Sequence, residues 1–338
     1  MLLECIVKRK LVITMFKYNL PVYAVCVFIP FTAVSQTQAL SACIAQKSIH
    51  ADDSTTIGEL KNECKKTLTN SLEKRRALES QAAPNPFSIL PHKPNYVMPA
   101  SYSNVSSKPY QEQLEGETLD DIETKFQVSL KYLAVENAYF DDLDIYAAFT
   151  AVSWWQSYNS DISAPFRETN YEPELIFNYS QPWQLLGVDI SNTSLSLNHQ
   201  SNGQAGNLSR SWNRVIGAVT IVDDNLIWNL KAWWRLPEED KKSSFLSDGD
   251  DNPNIENYLG YGELGMLWQI NEGHNLDLMF RNNLKSNNRS TFQLGWSFPL
   301  TYRLRGYVEY FNGYGDGLIY YNQHSSRLSV GVKLTDWL

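Results

Sequence analysis

The stretch NHQSNGQAGNLSRSWN, residues 198–213, holds side chains that could hydrolyse an ester. His199 lies two residues before Ser201, and Asn213 closes the stretch, which contains no Asp or Glu. A serine hydroxyl becomes a strong nucleophile when a base removes its proton, and a histidine base needs a third group that fixes its tautomer. A neutral Asn can accept a hydrogen bond from the ring, so these residue types predict a Ser–His pair oriented by an amide. The competing interpretation is a polar surface loop.

The rest of the chain predicts strands as the elements that position these residues. From residue 95 onward, twelve short runs alternate between apolar and polar residues and are separated by turn-forming stretches. The runs are 95–103, 124–135, 143–155, 170–180, 187–200, 211–224, 226–237, 255–270, 274–285, 289–300, 304–315 and 325–338. Most contain the ~9–11 residues that a tilted strand needs to cross a bilayer, and none is a helix-length run of ~20 apolar residues.

The connections between the runs alternate in length. Those at 181–186, 225, 271–273 and 301–303 are short, whereas those at 104–123, 156–169, 238–254 and 316–324 are longer. Short turns on one rim and long loops on the other are typical of outer-membrane barrels. The sequence therefore predicts an all-β fold, a twelve-stranded antiparallel transmembrane β-barrel of the outer membrane. The acidic connection 238–254 is interpreted as a solvated outer loop rather than a metal site.

Alternation along two of these runs predicts where the candidate side chains point, because successive side chains of a strand face opposite sides. One face of the run 187–200 is polar and carries Asn192, Ser194, Ser196 and Asn198. The other face carries Leu195, Leu197, His199 and then Ser201. Asn213 shares its face with Val215, Val219 and Ile221. We therefore expect His199, Ser201 and Asn213 outside the barrel, near the outer rim, where an enzyme acting on the membrane itself would need them.

The N-terminal part has a different character. Residues 1–35 have the basic start and short apolar stretch of a signal peptide, with Met15 as a possible true start. Residues 36–94 are then a periplasmic N-terminal extension, partly helical over 55–82, and residues 95–338 form the barrel catalytic domain. The sequence 40–43 also resembles a lipoprotein cleavage box, which stays open as an alternative.

Cysteine count and net charge narrow the chemistry further. The chain has four Cys, of which Cys43 and Cys64 remain after removal of the signal peptide and predict a disulfide in an exported protein. No Cys follows position 64, which excludes a thiolate nucleophile in the barrel. The formal net charge of -8 argues against a nucleic-acid partner, because phosphate backbones require an excess of Lys and Arg.

Several longer motifs resemble the outer membrane phospholipase A family. The sequences HQSNG at 199–203 and SRSWNR at 209–214 are similar to its active-site signature, and PFRETNYEP at 165–173 matches a second stretch. Shorter matches are the Trp pair at 154–155, KFQ at 125–127 and NPF at 85–87. The resemblance covers about residues 85 to 338, and the motifs occur in the family's order and spacing.

This resemblance implies a calcium-dependent phospholipase with A1, A2 and lysophospholipase activity that acts on membrane phospholipids as a homodimer. His199 matches the family's general base, Ser201 its nucleophile and Asn213 the orienting third member, while the Gly203 N–H stabilises the oxyanion. The Ser209 side chain and the Gln204 main-chain carbonyl match Ca²⁺ ligands. Ser163 matches a ligand that the partner subunit supplies.

Two positions depart from the family pattern. Gln204 replaces a basic residue, which a carbonyl contact tolerates, and Ala151 stands where better-known members have a polar residue in the dimer face. The N-terminal extension is also longer than usual. Two rival hypotheses stay open: a non-catalytic barrel, such as a porin or a structural protein with a decayed site, and a barrel enzyme that modifies lipid A.

Overall fold

The structure is a computed structural model that describes residues 48, 55–61, 85, 88–223, 225–243, 249–271, 273–301 and 304–335. The predicted signal peptide, both Cys43 and Cys64, and most of the N-terminal extension lie outside the described residues. Residues 57–61 are helical. Thr56 and Glu59 form a capping box before this turn, because the Glu59 N–H donates to Thr56 Oγ1 at 3.2 Å and the Thr56 N–H donates to Glu59 Oε2 at 2.8 Å.

Within the described part of the chain, twelve long antiparallel strands form a closed barrel. They are β2 (Asn95–Ser103), β3 (Ile122–Val135), β4 (Leu143–Trp155), β5 (Phe166–Tyr179), β8 (Asn192–Ser201), β9 (Ser211–Asp223), β10 (Leu226–Arg235), β11 (Gly262–Asn271), β12 (His274–Asn282), β13 (Ser290–Pro299), β14 (Arg305–Tyr314) and β15 (His324–Thr335). Each strand pairs with the next, and β2 pairs with β15 to close the ring. The predicted twelve-stranded barrel is confirmed. No helix among the described residues is long and apolar enough to span a membrane.

The two faces of the barrel wall follow the alternation of the sequence. On β8, Leu195 and Leu197 point outward and are about half exposed, whereas Ser196 and Asn198 point inward and are buried. The interior carries ion pairs between buried side chains, among them Lys125–Glu309, Arg167–Glu123 and Arg327–Glu123. These charges are paired because an isolated charge away from water would cost several kcal/mol. A cavity of about 850 Å³ remains in the interior.

The connection between β5 and β8 differs from the prediction. The run 187–200 is not a single strand, and 181–186 is not a short turn. Instead β6 (Trp183–Leu185) and β7 (Val188–Ile190) form a separate two-stranded hairpin before β8 begins. The reason is the backbone at Leu186 and Gly187, whose φ angles of 51° and 82° give the two-residue turn that matches the twist of a hairpin.

The loops at the rim that carries the candidate residues are long and partly packed into the barrel mouth. The β10–β11 connection, 236–261, contains the short helix Glu256–Leu259, where the sequence predicted strand from 255 onward. Gly260 ends this helix with a φ of 71°. Ile255 and Leu259 pack in one buried cluster with Trp212 and Trp233 of the barrel wall. This packing anchors the β10–β11 loop beside the β8–β9 pair. A two-residue strand, β1 (Leu90–Pro91), precedes β2 and also pairs with β3.

Candidate active site

His199 and Asn213 lie directly opposite each other on the β8–β9 pair. Their side chains share the outward face, and His199 Nδ1 is 2.8 Å from Asn213 Oδ1. Since an amide oxygen can only accept, this contact places the proton of a neutral His199 ring on Nδ1 and leaves Nε2 as the basic nitrogen. The predicted imidazole–amide pair is therefore present, on the face that the alternation predicts.

The inward face of the same two strands fixes their register. The pairs on either side of His199–Asn213 are Asn198–Arg214 and Gln200–Trp212. Arg214 donates to Asn198 Oδ1 from Nε at 3.1 Å and from Nη2 at 2.7 Å, and Trp212 Nε1 donates to Gln200 Oε1 at 2.8 Å. Because a slip of one residue would turn every side chain to the other face, these bonds also hold the outward pair in place.

A charged group on β5 extends this inward network. Glu172 accepts from Arg214 at 3.1 Å and from Asn198 at 2.8 Å. Lys93, which enters the barrel just before β2, donates to the other oxygen of Glu172 at 2.6 Å. The Arg214 guanidinium also lies 3.9 Å from the centre of the Trp212 ring. The β8–β9 pair is thus tied on its inward side to β5 and to the segment just before β2.

Ser201 is the last residue of β8 and begins a loop with a defined shape. Asn202 is buried and holds that loop: its Nδ2 donates to the Leu208 carbonyl at 2.7 Å, and its Oδ1 accepts from the Gln204 and Arg210 N–H groups at 3.2 and 3.0 Å. Among the described residues, no hydrogen bond joins Ser201 to the His199 ring. Catalytic hydrogen bonds are often long before substrate binds, so this does not conflict with the predicted roles.

Gly203 has a backbone conformation that other residues rarely adopt. Its φ is 64°, and a Cβ at this position would stand 3.2 Å from the Tyr171 ring. The backbone conformation just after Asn202 therefore depends on a residue without a side chain. The Gly203 N–H is the predicted oxyanion donor.

The predicted calcium ligands divide into two groups. Ser209 and Gln204 lie in the β8–β9 loop, close to Ser201 in sequence. Ser163 lies in the β4–β5 loop, is exposed, and has a φ of 60°. Among the described residues, no hydrogen bond joins Ser163 to Ser209.

Asp251, which the sequence analysis assigned to a solvated loop rather than a metal site, contacts the predicted calcium ligand Ser209. Its Oδ2 accepts from Ser209 Oγ at 2.7 Å and from Ser211 Oγ at 3.3 Å, and its other oxygen pairs with Lys241. Hydroxyl, carbonyl and carboxylate oxygens are the donors that Ca²⁺ prefers, so these residues fit the ion. No cluster of three or more His, Cys, Asp or Glu side chains occurs in the described residues.

Glu238 also contacts the candidate site, and the sequence analysis did not identify it. The Asn213 Nδ2 donates to Glu238 Oε1 at 3.2 Å. Burial raises the pKa of the Glu238 carboxyl above its usual value, while the hydrogen bond from Asn213 and the charge of Arg235 oppose that shift.

The connection 238–254 is solvent-accessible over most of its described part, where only Asn252 is buried, but specific contacts also hold it to the barrel. Asp250 pairs with Arg235 at 2.5 Å, and the buried Asn252 accepts from the Ser211 N–H at 3.1 Å. The sequence DDNP at 250–253 could have indicated an ordered turn here, because Asp and Asn side chains bond to nearby backbone groups in such turns.

Comparison with known proteins places this geometry in a family. The family model described as Phospholipase A1 matches residues 72–334. The chain belongs to the phospholipase A1 family. The Phospholipase A1 of Klebsiella pneumoniae is 33% identical over 252 residues, covering 75% of this chain and 84% of that protein. The Phospholipase A1 of Escherichia coli strain K12 is 32% identical over 252 residues, covering 75% of this chain and 83% of that protein.

Solved structures agree with the membership in the phospholipase A1 family. Outer membrane phospholipase A from Escherichia coli superposes with a TM-score of 0.67 at 30% identity, covering 75% of this chain and 93% of that one. The outer membrane phospholipase of Salmonella typhi, described as a dimer with bound calcium, superposes with a TM-score of 0.66 at 31% identity, covering 75% and 94%. This phospholipase A1 family member is accordingly an outer-membrane β-barrel.

Proposed function

We propose that this chain is a calcium-dependent outer membrane phospholipase A. It hydrolyses acyl esters of phospholipids with A1, A2 and lysophospholipase activity, using His199, Ser201 and Asn213 on the lipid-facing outside of the barrel. The observation that carries the proposal is the 2.8 Å contact between His199 Nδ1 and Asn213 Oδ1 beside Ser201. A solved structure of the Escherichia coli relative with an active-site asparagine replaced by alanine supports an Asn in this role.

The reaction is an acyl transfer in two halves. His199 Nε2 accepts the Ser201 proton as Oγ attacks the ester carbonyl, and the Gly203 N–H donates to the developing oxyanion. The imidazolium then gives its proton to the leaving lysophospholipid oxygen. In the second half, His199 deprotonates a water that attacks the acyl-Ser201 ester and releases the fatty acid. Asn213 keeps the ring oriented in both halves.

Calcium belongs to the same proposal. Ser209, the Gln204 carbonyl and Ser163 of the partner subunit would hold the ion, and Asp251 adds a carboxylate that contacts Ser209. When bound, the ion supplies positive charge that polarises the ester carbonyl.

Homodimerisation is part of the same proposal, and the Salmonella typhi relative described as a dimer with bound calcium supports it. In this proposal Ser163 comes from the partner subunit, so each complete site requires a second copy. Mixing two inactive variants tests this directly. A Ser201→Ala copy still supplies Ser163, and a Ser163→Ala copy still supplies Ser201, so the mixture should regain activity that neither variant has alone. A Ser163→Ala protein with normal calcium dependence would contradict the shared site.

The N-terminal segments complete the proposal. Residues 1–35 are a signal peptide, residues 36–94 a periplasmic extension closed by a Cys43–Cys64 disulfide, and residues 95–338 the catalytic barrel. Mass spectrometry of the mature protein under non-reducing conditions measures the cleavage position and the disulfide together. It also detects a lipid on Cys43 if the alternative cleavage occurs.

The deciding experiment measures fatty-acid release from mixed phospholipid–detergent micelles by the refolded protein. We expect release in excess Ca²⁺, no release in EDTA, and none from Ser201→Ala. Chromatography of the products separates fatty acid from either ester position and from lysophospholipid. A folded barrel that releases no fatty acid under any condition would refute the proposal, and an ohmic pore in planar bilayers would then favour the porin hypothesis.

A further inference from the structure

Asn213 has a weakness as the third member of a triad. Its amide group can turn over, and the turned group would present Nδ2 rather than Oδ1 to the His199 ring. A ring facing an N–H donor would need its proton on Nε2, which would remove the base from Ser201. The amide also carries no charge, so by itself it stabilises an imidazolium less than a carboxylate does. Something else has to fix the orientation of Asn213.

Glu238 occupies the position from which it can do so. The Leu236 N–H donates to the Asn213 carbonyl at 2.8 Å, which extends the β9–β10 ladder by one bond beyond Arg235. Pro237 has no N–H and ends the ladder, and Glu238 follows beside the Asn213 side chain. Its Oε1 accepts from Asn213 Nδ2 at 3.2 Å. A carboxylate can only accept, so this bond selects the orientation in which Asn213 Oδ1 faces the imidazole.

The charged groups around Glu238 leave it aimed at Asn213. The Arg235 guanidinium pairs with Asp250 at 2.5 Å, and Lys241 pairs with Asp251. Arg235 and Lys241 are thus each paired with a carboxylate other than Glu238. Glu238 is half-buried, and its hydrogen bond to Asn213 lies at the edge of the barrel wall.

We propose that Glu238 is a positioning residue that completes the proposed triad as a chain of His199, Asn213 and Glu238. In such a site a carboxylate usually contacts the imidazole directly. Here the Asn213 amide lies between the His199 imidazole and the Glu238 carboxylate. Glu238 fixes the orientation of the amide and places a negative charge behind it, which stabilises the imidazolium formed during acyl transfer. This inference rests on the proposed hydrolase function.

Two substitutions separate orientation from charge. Glu238→Ala removes the acceptor and the charge, and we expect kcat to fall about 10- to 30-fold with KM unchanged. Glu238→Gln keeps an acceptor oxygen and loses the charge, so kcat should fall less, by about 3- to 10-fold. Glu239→Gln is the matched control, because this neighbouring carboxylate is exposed, and we expect its kcat to equal that of the unaltered protein.

A second test uses a background in which Glu238→Gln should change kcat in the opposite direction. In an Asn213→Asp background the inner group is itself a carboxylate, and Glu238 then places a second negative charge against it. Glu238→Gln should raise kcat in that background by about 3-fold or more, although it lowers kcat in the unaltered chain. A merely structural role for Glu238 predicts a loss in both backgrounds. The heat-dependent migration of each variant on a gel checks that the barrel is folded.

The outcomes separate this inference from the proposed function. Ser201-dependent turnover that is insensitive to Glu238→Ala, or a loss of kcat in both backgrounds, would overturn the role of Glu238 and leave the hydrolase standing. Absence of turnover from the unaltered folded protein would overturn both.

Discussion

The inward and outward faces of the β8–β9 pair use alternate residues of the same two strands but are stabilised in different ways. Inside, Arg214 bonds to Asn198 and Glu172, and Trp212 bonds to Gln200. Outside, the His199 ring contacts Asn213, and Asn213 donates in turn to a loop residue, Glu238. The comparison indicates that the inner face holds the register while the outer face is left free for chemistry.

The largest expected effect is on the outer face. His199→Ala should lower kcat by about 10⁴-fold or more, because it removes the proposed base. The free energy of unfolding should change by less than about 0.5 kcal/mol, since the side chain is exposed. Fatty-acid release and urea unfolding in micelles measure the two quantities. His274→Ala removes an imidazole at the opposite rim and should leave kcat unaltered; a similar loss in that variant would contradict the assignment.

The inner face should show the opposite pattern. Arg214→Met removes one partner of a buried ion pair and should lower the free energy of unfolding by about 3 kcal/mol, at the low end of the usual range because Lys93 still pairs with Glu172. Urea titration followed by tryptophan fluorescence measures this loss.

The control for Arg214→Met lies away from the site. Lys231→Met breaks the inward Lys231–Glu263 pair of 2.8 Å, between β10 and β11. It should also destabilise the barrel but leave the kcat of the folded protein unaltered, whereas Arg214→Met lowers it through the β8–β9 register. Equal activity in both variants would break the proposed link between the two faces.

Two glycines of the β8–β9 loop allow a test of the oxyanion role predicted for Gly203. Gly203 and Gly206 both have a φ of 64°, but only a Cβ at Gly203 would approach the Tyr171 ring, at 3.2 Å. Both Ala variants should lose about 1–2 kcal/mol of stability from backbone strain. Gly203→Ala should also lower kcat about 10-fold, because the shift of the backbone moves the Gly203 N–H, the predicted oxyanion donor. Equal kcat values for the two variants would argue against an oxyanion role for Gly203.

The smallest effect concerns calcium. Lys241 pairs with Asp251, whose other oxygen contacts Ser209, so its charge opposes a cation there. Lys241→Gln should tighten Ca²⁺ binding about 3-fold, the scale of a partly exposed ion pair. Terbium luminescence in the refolded protein measures this without turnover. Lys242→Gln, at the exposed neighbour, should have no effect; weaker binding in Lys241→Gln would contradict the assignment of the cation to this position.

Local sequence patterns predicted the strands of the barrel wall and the outward pair of His199 and Asn213. Alternation along β8 and β9 was enough to place His199 and Asn213 on one face, because a hairpin brings residues 14 apart in sequence opposite each other. The β6–β7 hairpin was missed because its turn depends on the positive φ of Leu186, which residue type does not indicate. The contacts of Glu238 to Asn213 and of Asp251 to Ser209 were not predicted, because they join residues 25 and 42 positions apart in sequence and no local period encodes such contacts.

The closure of the barrel has a consequence for the order of its strands. Asn95 at the start of β2 pairs with Thr335 at the end of β15, so the two ends of the barrel segment are neighbours at one rim. The strand order is therefore cyclic, and the barrel has no first or last strand in any structural sense. A circular permutant that joins 335 to 95 and opens in the 136–142 connection would keep the pairings among the twelve long strands. It would break only the covalent connection between β3 and β4.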